Sequence, residues 1–227
     1  MDQTDDAALR IDHAPTTLRE LAVDRIRQAI ISGRFAGGHR LVERTLCDQL
    51  GVSRSVVREA IRYLEAEGLV ETQSRSGPVV AKLDWDGAQQ IYNIRRLLEA
   101  DAAAACARIA DDKVKLGLKA ALRNLETAFS DAVPGRVYDA TTRFYETIFT
   151  AAGHAIAWEV VQRLNGRISR LRALTLATTD RRVSGPAHMA RICEAICKNN
   201  PTAAAAAVKD HLTDAAAIAR DLLQKEA

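Results

Sequence analysis

Three arginines recur at four-residue spacing in a short segment that also carries an apolar stripe. They are Arg54, Arg58 and Arg62, and in an α-helix this spacing places them on one face. Val57 and Ile61 fall on another face, which is typical of a helix that packs against a domain core. Arginine is the side chain that most often reads guanine in the major groove. The segment therefore predicts a DNA recognition helix, apolar on one side and cationic on the other.

Polar side chains around this helix extend the predicted DNA-binding surface. The Ser53 hydroxyl can cap the helix by accepting hydrogen bonds from the free amides of its first turn, and that first turn is the part of a recognition helix that contacts bases. The predicted DNA-binding residues are Arg44, Ser53, Arg54, Ser55, Arg58, Arg62, Arg75, Ser76 and Gly77. The competing interpretation is that the arginines form surface ion pairs with Glu43, Glu59, Glu65 and Glu67.

The elements that must position these residues read as three helices followed by a hairpin. Helices are predicted over 18–31, 43–50 and from the Ser53 cap to Gly68, and strands over 69–72 and 78–82. This order predicts a winged helix-turn-helix domain over 17–83, preceded by a flexible arm over 1–16. Arg75, Ser76 and Gly77 would lie at the tip of the wing.

The rest of the chain, 84–227, shows almost no strand-like alternation and is rich in alanine. Helices are predicted near 87–109, 112–131, 134–152, 155–178, 186–199 and 201–225. The predicted fold class is therefore mainly α, an N-terminal winged helix-turn-helix followed by an all-α bundle of about six helices.

Composition excludes several other classes of protein. The chain has 227 residues, 48% hydrophobic, with a net charge of only +3 and four cysteines. The acidic opening residues lack the apolar core of a secretory signal, and no apolar run approaches the roughly 18 residues that span a bilayer. Sparse cysteines fit reduced thiols in a cytoplasm. We expect a cytoplasmic protein without a membrane partner.

Segment 18–70 resembles the winged-helix domain of GntR-type bacterial transcription regulators. The matching residues are Gly33, Gly38, Leu41, Glu43-Arg44, Gly51–Arg54, Val57-Arg-Glu59, Leu64 and Glu67-Gly-Leu69. The remainder resembles the helical effector domain of the FadR subfamily, through 91–99, Phe144, 151–153, His188, Ile192, 195–196 and 204–212. The resemblance implies a homodimer on a short palindromic double-stranded DNA operator. It also implies that 84–227 is an effector-binding and dimerisation domain, in which a small organic acid or similar metabolite alters DNA affinity.

The effector residues follow from the same resemblance. Many members of the subfamily hold a divalent metal with one Asp and three His, at positions that here are Thr141, Tyr145, His188 and His211. A threonine hydroxyl is a poor ligand, and a phenol with a pKa near 10 seldom ionises. No metal cofactor is therefore expected, and any divalent metal would rest on His188 and His211. The two histidines are equally well read as hydrogen-bonded core residues.

An arginine that lies near the effector cavity in this subfamily is matched by Arg95. Arg170 and Arg172 are further candidate anion partners, because a buried guanidinium needs a negative charge to offset its desolvation. The predicted effector-binding residues are Arg95, Thr141, Tyr145, His188 and His211, with Tyr145 donating its hydroxyl. The alternative for Arg95 is an ion pair with Glu99, one helical turn away.

Two other functions compete with that of a transcription regulator. An enzyme is not expected, because the chain lacks a nucleophile–base pair, a glycine-rich phosphate loop and a complete metal set; Cys193 and Cys197 lie about 140° and 180° around a helix from His188. A constitutive dimeric DNA-binding protein remains open, since Thr141 and Tyr145 also fit a helical domain that has lost its ligand and only dimerises.

Overall fold

The structure is a computed structural model that describes residues 17–131, 134–176 and 178–225. Helices and strands follow one another as α1 (Leu18–Ile31), α2 (Glu43–Leu50), α3 (Arg54–Ala66), β1 (Val70–Gln73), β2 (Gly77–Val80), α4 (Trp85–Ile109), α5 (Asp112–Asp131), α6 (Pro134–Ala152), α7 (Ala155–Arg163), α8 (Asn165–Leu176), α9 (Thr179–Cys197) and α10 (Pro201–Lys225). We call α1 to β2 the winged half and α4 to α10 the helical half. The predicted winged helix-turn-helix followed by a helical bundle is confirmed.

Local sequence signals explain the helix ends of the winged half. Thr17 and Glu20 form a reciprocal capping box at the start of α1. Gly51 ends α2 in the left-handed conformation, with φ of 67°. Ser53 then caps α3, and its hydroxyl accepts a hydrogen bond from the Val56 amide at 3.4 Å. The predicted turn between α2 and α3 is therefore fixed by residues that sit beside each other in the sequence.

The wing is a short antiparallel hairpin behind the recognition helix. Val70 pairs with Val80 and Gln73 with Gly77, so that the turn lies over 74–76, and Arg40 adds an isolated bridge to Val79. Buried apolar residues from the helices, the strands and the segments between them form one core of the winged half, among them Ile26, Leu41, Leu46, Val57, Ile61, Leu64, Leu69 and Val80.

Seven helices make up the described helical half, where the sequence predicted about six. α4 and α10 pack along each other, and the core between them and α6 includes Phe144, Ile148 and Phe149. The helix predicted over 155–178 is wrong as one unit, because it divides at 164 into α7 and α8. α9 also begins before Pro186, not at it, since packing against α5 and α10 holds the helix despite the missing amide.

The two halves touch through α8, and bare glycine positions allow this close approach. A Cβ atom on Gly166 of α8 would lie 2.6 Å from Leu69 Cγ and 2.8 Å from the Glu67 carbonyl oxygen. On the winged side, Gly68 has φ of 70°, and a Cβ there would lie 2.3 Å from Arg167 Nε. A side chain at Gly166 would force α8 away from the winged half, whereas one at Gly68 would displace the Arg167 side chain and would also be strained by the positive φ.

One arginine spans this junction, and a second holds Glu67 on its winged side. The Arg170 guanidinium of α8 donates to the Ala81 carbonyl oxygen, and burial lowers its pKa. Within the winged half, Arg27 of α1 donates to both carboxylate oxygens of Glu67, at 3.1 and 2.9 Å. Glu67 is therefore held by α1 through its side chain and packed against α8 through its backbone.

Replacing Gly166 with alanine should lower the midpoint of thermal unfolding, because the buried Leu69 and the Glu67 backbone must move. Overpacking of this kind costs on the order of 1–3 kcal/mol. Gly117→Ala is the matched control, since the nearest atom to its Cβ is Thr147 Cγ2 at 4.0 Å. This control should gain roughly 0.5–1 kcal/mol from helix propensity. If calorimetry shows the same rise in the unfolding midpoint for Gly166→Ala and Gly117→Ala, the tight contact at Gly166 is contradicted.

Candidate DNA interface and effector cavity

The recognition helix α3 presents its arginines outward, as its spacing predicts. Arg54, Arg58 and Arg62 are exposed, whereas Val57 and Leu64 are fully buried. The helix therefore attaches to the domain by one face and leaves a cationic face open. This arrangement can place guanidinium groups in a DNA groove while the apolar face of α3 remains buried in the domain core.

One of the three arginines already has a partner within the protein. Arg58 Nε lies 2.9 Å from both carboxylate oxygens of Glu43 on α2, and 59% of the Arg58 side chain remains exposed. The ion-pair interpretation is therefore correct for Arg58 with Glu43. An exposed pair of this kind is weak and is screened by salt, so a phosphate or a base edge can compete for the guanidinium.

The remaining predicted DNA-binding residues surround α3. Ser53 and Ser55 lie at its start with their hydroxyl oxygens 2.9 Å apart, and Arg44 is exposed in the first turn of α2. Arg75 is exposed at the wing tip. Next to it, Gly77 adopts φ of 70° at the start of β2. The structure thus places the predicted residues on α2, α3 and the wing.

A small cavity lies in the helical half, between α4, α5, α6, α8, α9 and α10. Its volume is about 20 Å³, which suits about one water molecule and is far below the roughly 300 Å³ of a typical ligand pocket. Its lining residues are Tyr92, Arg95, Phe129, Val137, Thr141, Arg172, Thr175, Met189, His211 and Ala215. Three predicted effector residues, Arg95, Thr141 and His211, therefore meet here.

Arg95 is paired with Glu99 beside this cavity. Arg95 Nε donates to Glu99 Oε1 at 2.6 Å and Nη2 to Oε2 at 3.3 Å, and both side chains are almost wholly buried. The alternative proposed for Arg95, an ion pair one turn along α4, is thus present. Burial and the nearby Glu99 carboxylate raise the pKa of Tyr145 well above its ordinary value, so Tyr145 stays a neutral phenol.

Thr141 and Tyr145 occupy neighbouring turns of α6, but their polar atoms differ in role. The Thr141 hydroxyl donates to the Val137 carbonyl oxygen at 2.6 Å, which leaves it able to accept but not to donate. Tyr145 is 1% exposed and lies beside Glu99 and Arg95. Neither side chain supplies the negative charge that a divalent metal prefers.

His188 and His211 come together, as the resemblance implies. Their ring centroids are 5.6 Å apart at an angle of 71°. His188 Nε2 lies 3.4 Å from Asp214 Oδ2, and its Nδ1 contacts the Arg191 guanidinium. Both ring nitrogens of His188 therefore face protein groups, which agrees with the interpretation of His188 as a hydrogen-bonded core residue.

The donor set does not fit the metal site of the subfamily. Among residues 17–131, 134–176 and 178–225, no group of three or more His, Cys, Asp or Glu side chains is placed to hold a metal ion. Thr141 and Tyr145 offer only neutral oxygens, and His188 is engaged by Asp214 and Arg191. The side chains at these four positions therefore do not match the ligand set that holds a metal in other members of the subfamily.

Two buried cysteines of the helical half, Cys106 and Cys193, are poor candidates for nucleophiles. Burial raises the pKa of Cys193 to about 12 and that of Cys106 to about 11. A thiol reacts through its thiolate, which is scarce at neutral pH for both residues. They behave as small apolar side chains of the bundle core.

Two features of this region were not predicted from the sequence. Asp214 approaches His188 from α10, and Gly166 brings α8 against the winged half. Of the two arginines named as candidate anion partners, Arg172 lines the cavity, whereas Arg170 donates to the Ala81 carbonyl oxygen. The sequence did contain a signal for Asp214, since it follows His211 by three residues on one helix and so shares its face. A glycine inside a helical segment, such as Gly166, is a signal for close packing.

Comparison with known proteins now defines the class. The FCD domain family matches residues 90–214, more than half of the 227 residues. The family described as bacterial regulatory proteins, gntR family, matches residues 18–80. The chain belongs to the GntR family of bacterial regulatory proteins and carries an FCD domain. It is a transcription regulator and not an enzyme.

Individual relatives agree with this assignment. The chain is 28% identical over 189 residues to the HTH-type transcriptional regulator YdhC of Bacillus subtilis, covering 83% of this chain and 84% of the relative. It is 31% identical over 132 residues to the gluconate operon transcriptional repressor of B. subtilis, covering 57% and 53%. The solved structure of E. coli McbR/YncC has the same fold, with a TM-score of 0.76 at 18% identity, covering 94% of this chain and 100% of that one.

Among the described residues, every helix is too short or too polar to cross a lipid bilayer.

Protein purified without chelator or added metal should contain well below one zinc, nickel or manganese ion per chain, because the ligands available are two histidines and two neutral oxygens. Elemental analysis of the purified protein tests this. The double variant Thr141→Asp, Tyr145→His is the positive control, since it restores the ligand types of the subfamily. Stoichiometric metal in the unaltered protein that disappears in His211→Ala would overturn the expectation.

Proposed function

We propose that the protein is a metabolite-responsive regulator that binds a palindromic operator as a homodimer in the bacterial cytoplasm. The observation that carries the DNA-binding part is the exposed arginine face of α3, flanked by Arg44 and the wing. The B. subtilis relative is the repressor of a gluconate operon, which supports a role in the control of metabolic genes.

Some of the predicted DNA-binding residues would contact bases and others would contact phosphates. Arg54, Ser53 and Ser55 at the start of α3 would contact base edges, because the first turns of a recognition helix enter the groove most deeply. Arg44, Arg62 and the wing tip would contact phosphates, which position the protein without reading sequence. On binding DNA, the Arg58 guanidinium would break its ion pair with Glu43 and contact the DNA instead.

The single variants Arg54→Ala and Arg58→Ala should each bind the specific operator more weakly, by on the order of 1–3 kcal/mol. Arg44→Ala should weaken specific and random DNA about equally, because a phosphate contact carries no sequence information. Arg123→Ala is the control, an exposed arginine on α5 far along the chain from the recognition helix. The test is operator affinity at fixed salt, with the operator selected from a random DNA pool. If the double variant Arg54→Ala, Arg58→Ala binds the operator as tightly as the unaltered protein, this proposal is wrong.

A homodimer follows from the small number of base contacts that one winged helix can make. Two-fold pairing doubles them at a fixed half-site spacing. Large apolar side chains are exposed on α4 at Ile94 and Leu97 and on α7 at Ile156 and Val160. α4 and α7 pack against each other, with His154 Nδ1 3.6 Å from Asp101 Oδ2. We propose that this shared surface meets the same surface of a second copy.

Charged substitutions on this surface should convert the dimer to a monomer. Leu97 is 73% and Ile156 is 79% exposed, so glutamate at either position is tolerated by the monomer but would be buried and unpaired in the dimer. Leu116→Glu on α5 is the matched control, because Leu116 is 68% exposed outside the proposed surface. Sedimentation should show monomers for Leu97→Glu and Ile156→Glu only. A monomeric unaltered protein at micromolar concentration, free and on DNA, would contradict the proposal.

Effector binding would act from the helical half, with Arg95, Thr141, Tyr145, His188 and His211 around the acid. Two observations support a link to DNA binding. The cavity of about 20 Å³ must widen before it admits an organic acid, so binding would move its lining helices. One of those helices is α8, which also packs against the winged half at Gly166.

The second candidate function is a constitutive dimeric DNA-binding protein whose helical half only dimerises. The small cavity is the observation that favours it. Thermal unfolding in the presence of candidate acids separates the two, because a ligand that binds only the folded protein must stabilise it by mass action. The absence of any stabilisation, together with normal operator binding, would favour the constitutive protein.

A further inference from the structure

We propose that Arg172 receives the effector's acidic group, and that this group is a monoanionic carboxylate held without a metal ion. The inference rests on the proposed effector response and specifies the charge chemistry of its site.

Arg172 differs from the other arginines around α8 in what its guanidinium contacts. Its Nη1 is buried and makes no hydrogen bond within the described part of the chain. By contrast, Arg95 donates twice to Glu99, and Arg170 donates to the Ala81 carbonyl oxygen. Burial and the nearby Arg95 lower the pKa of Arg172 to about 10. It nevertheless remains protonated at neutral pH, as a cation that lines the cavity.

The two threonine hydroxyls of the cavity cannot take over this role. The Thr141 hydroxyl donates to the Val137 carbonyl oxygen, and the Thr175 hydroxyl donates to the Arg172 carbonyl oxygen at 3.1 Å. Both threonines can therefore accept hydrogen bonds from a ligand but not donate to a carboxylate. A guanidinium has donors in a planar fork that matches a carboxylate. Arg172 is thus equipped to hold an acidic group at this cavity.

The balance of charge selects a monoanion. With His211 neutral, Arg95, Arg172 and Glu99 bring two positive charges and one negative charge to this buried part of the helical half. One bound carboxylate makes the sum zero, whereas a dianion leaves an excess negative charge away from water. Burying an uncompensated charge is costly. The site therefore favours a single carboxylate over a phosphate dianion.

The apolar part of the ligand would be accommodated by movable side chains. Phe129 and Met189 also line the cavity, and methionine adapts readily to the shape of its neighbours. Because the cavity itself is only about 20 Å³, a small probe is needed. Acetate is the smallest carboxylate with an apolar group, and chloride at equal ionic strength is its reference.

The test compares unfolding temperatures of the full-length protein and of Arg172→Met, each with tens of millimolar acetate, phosphate or chloride. Without ligand, Arg172→Met should unfold about 2–4 °C higher, because it removes a buried charge that lacks a full partner. Acetate should raise the unfolding temperature of the unaltered protein above that in chloride and in phosphate. The variant should lose this acetate-specific rise completely.

Arg170→Met is the matched control, since it removes another arginine of α8 that donates to the winged half. It should unfold at a lower temperature than the unaltered protein and keep the acetate-specific rise. The inference is overturned if Arg172→Met is less stable than the unaltered protein or fails to fold. It is also overturned if that variant keeps the rise, if phosphate stabilises as much as acetate, or if acetate has no effect on the unaltered protein.

Operator affinity separates this inference from the proposed function. Without acetate, Arg172→Met should bind operator DNA as tightly as the unaltered protein, because Arg172 lies in the helical half. If the unaltered protein binds no operator, the proposed function fails even where acetate binding depends on Arg172. If operator binding is normal and the acetate result depends on another residue, only the inference about Arg172 fails.

Discussion

The close contact of α8 with the winged half is the constraint on which the rest of this structure depends. Gly166 and Gly68 carry no Cβ, so the backbone of each half reaches the other, and Arg170 fastens α8 to Ala81. The opposite side of the same helix brings Arg172 to the cavity. Helix α8 thus contacts the segment that follows α3, at Glu67 and Leu69, and also lines the cavity beside Arg95.

Buried charge gives this arrangement its chemical character. In regulators that hold a metal, the metal supplies positive charge for an acid, and the resemblance implies that Asp and His would bind it. Here Thr141 and Tyr145 stand in those places, and the positive charge comes from arginines. Arg95 is neutralised by Glu99 at 2.6 Å, which holds the pair in place, since removing one partner of a buried pair is costly. Arg172 then contributes the remaining positive charge.

The sequence predicted much of the fold because its signals are local. The Ser53 cap, the Gly51 turn and the apolar stripe of α3 depend on residues a few positions apart. The break after 164 was missed, because Asn165-Gly166 reads as a tolerable helix interior until its packing on Leu69 is known. Side-chain partners were harder to predict. Pairing of Arg58 with Glu43 and of His188 with Asp214 depends on how separate helices pack, which periodicity does not specify.

Hydrogen–deuterium exchange with and without a bound acid tests most directly whether the cavity communicates with the DNA-binding half. Acetate is the first ligand to use, on the operator-free protein. Because α8 both lines the cavity and packs against the winged half, we expect altered exchange at amides of α8, at 67–70 and in the wing, accompanied by a change in operator affinity. Altered exchange confined to α4, α6 and α10, with operator affinity unchanged, would contradict this link.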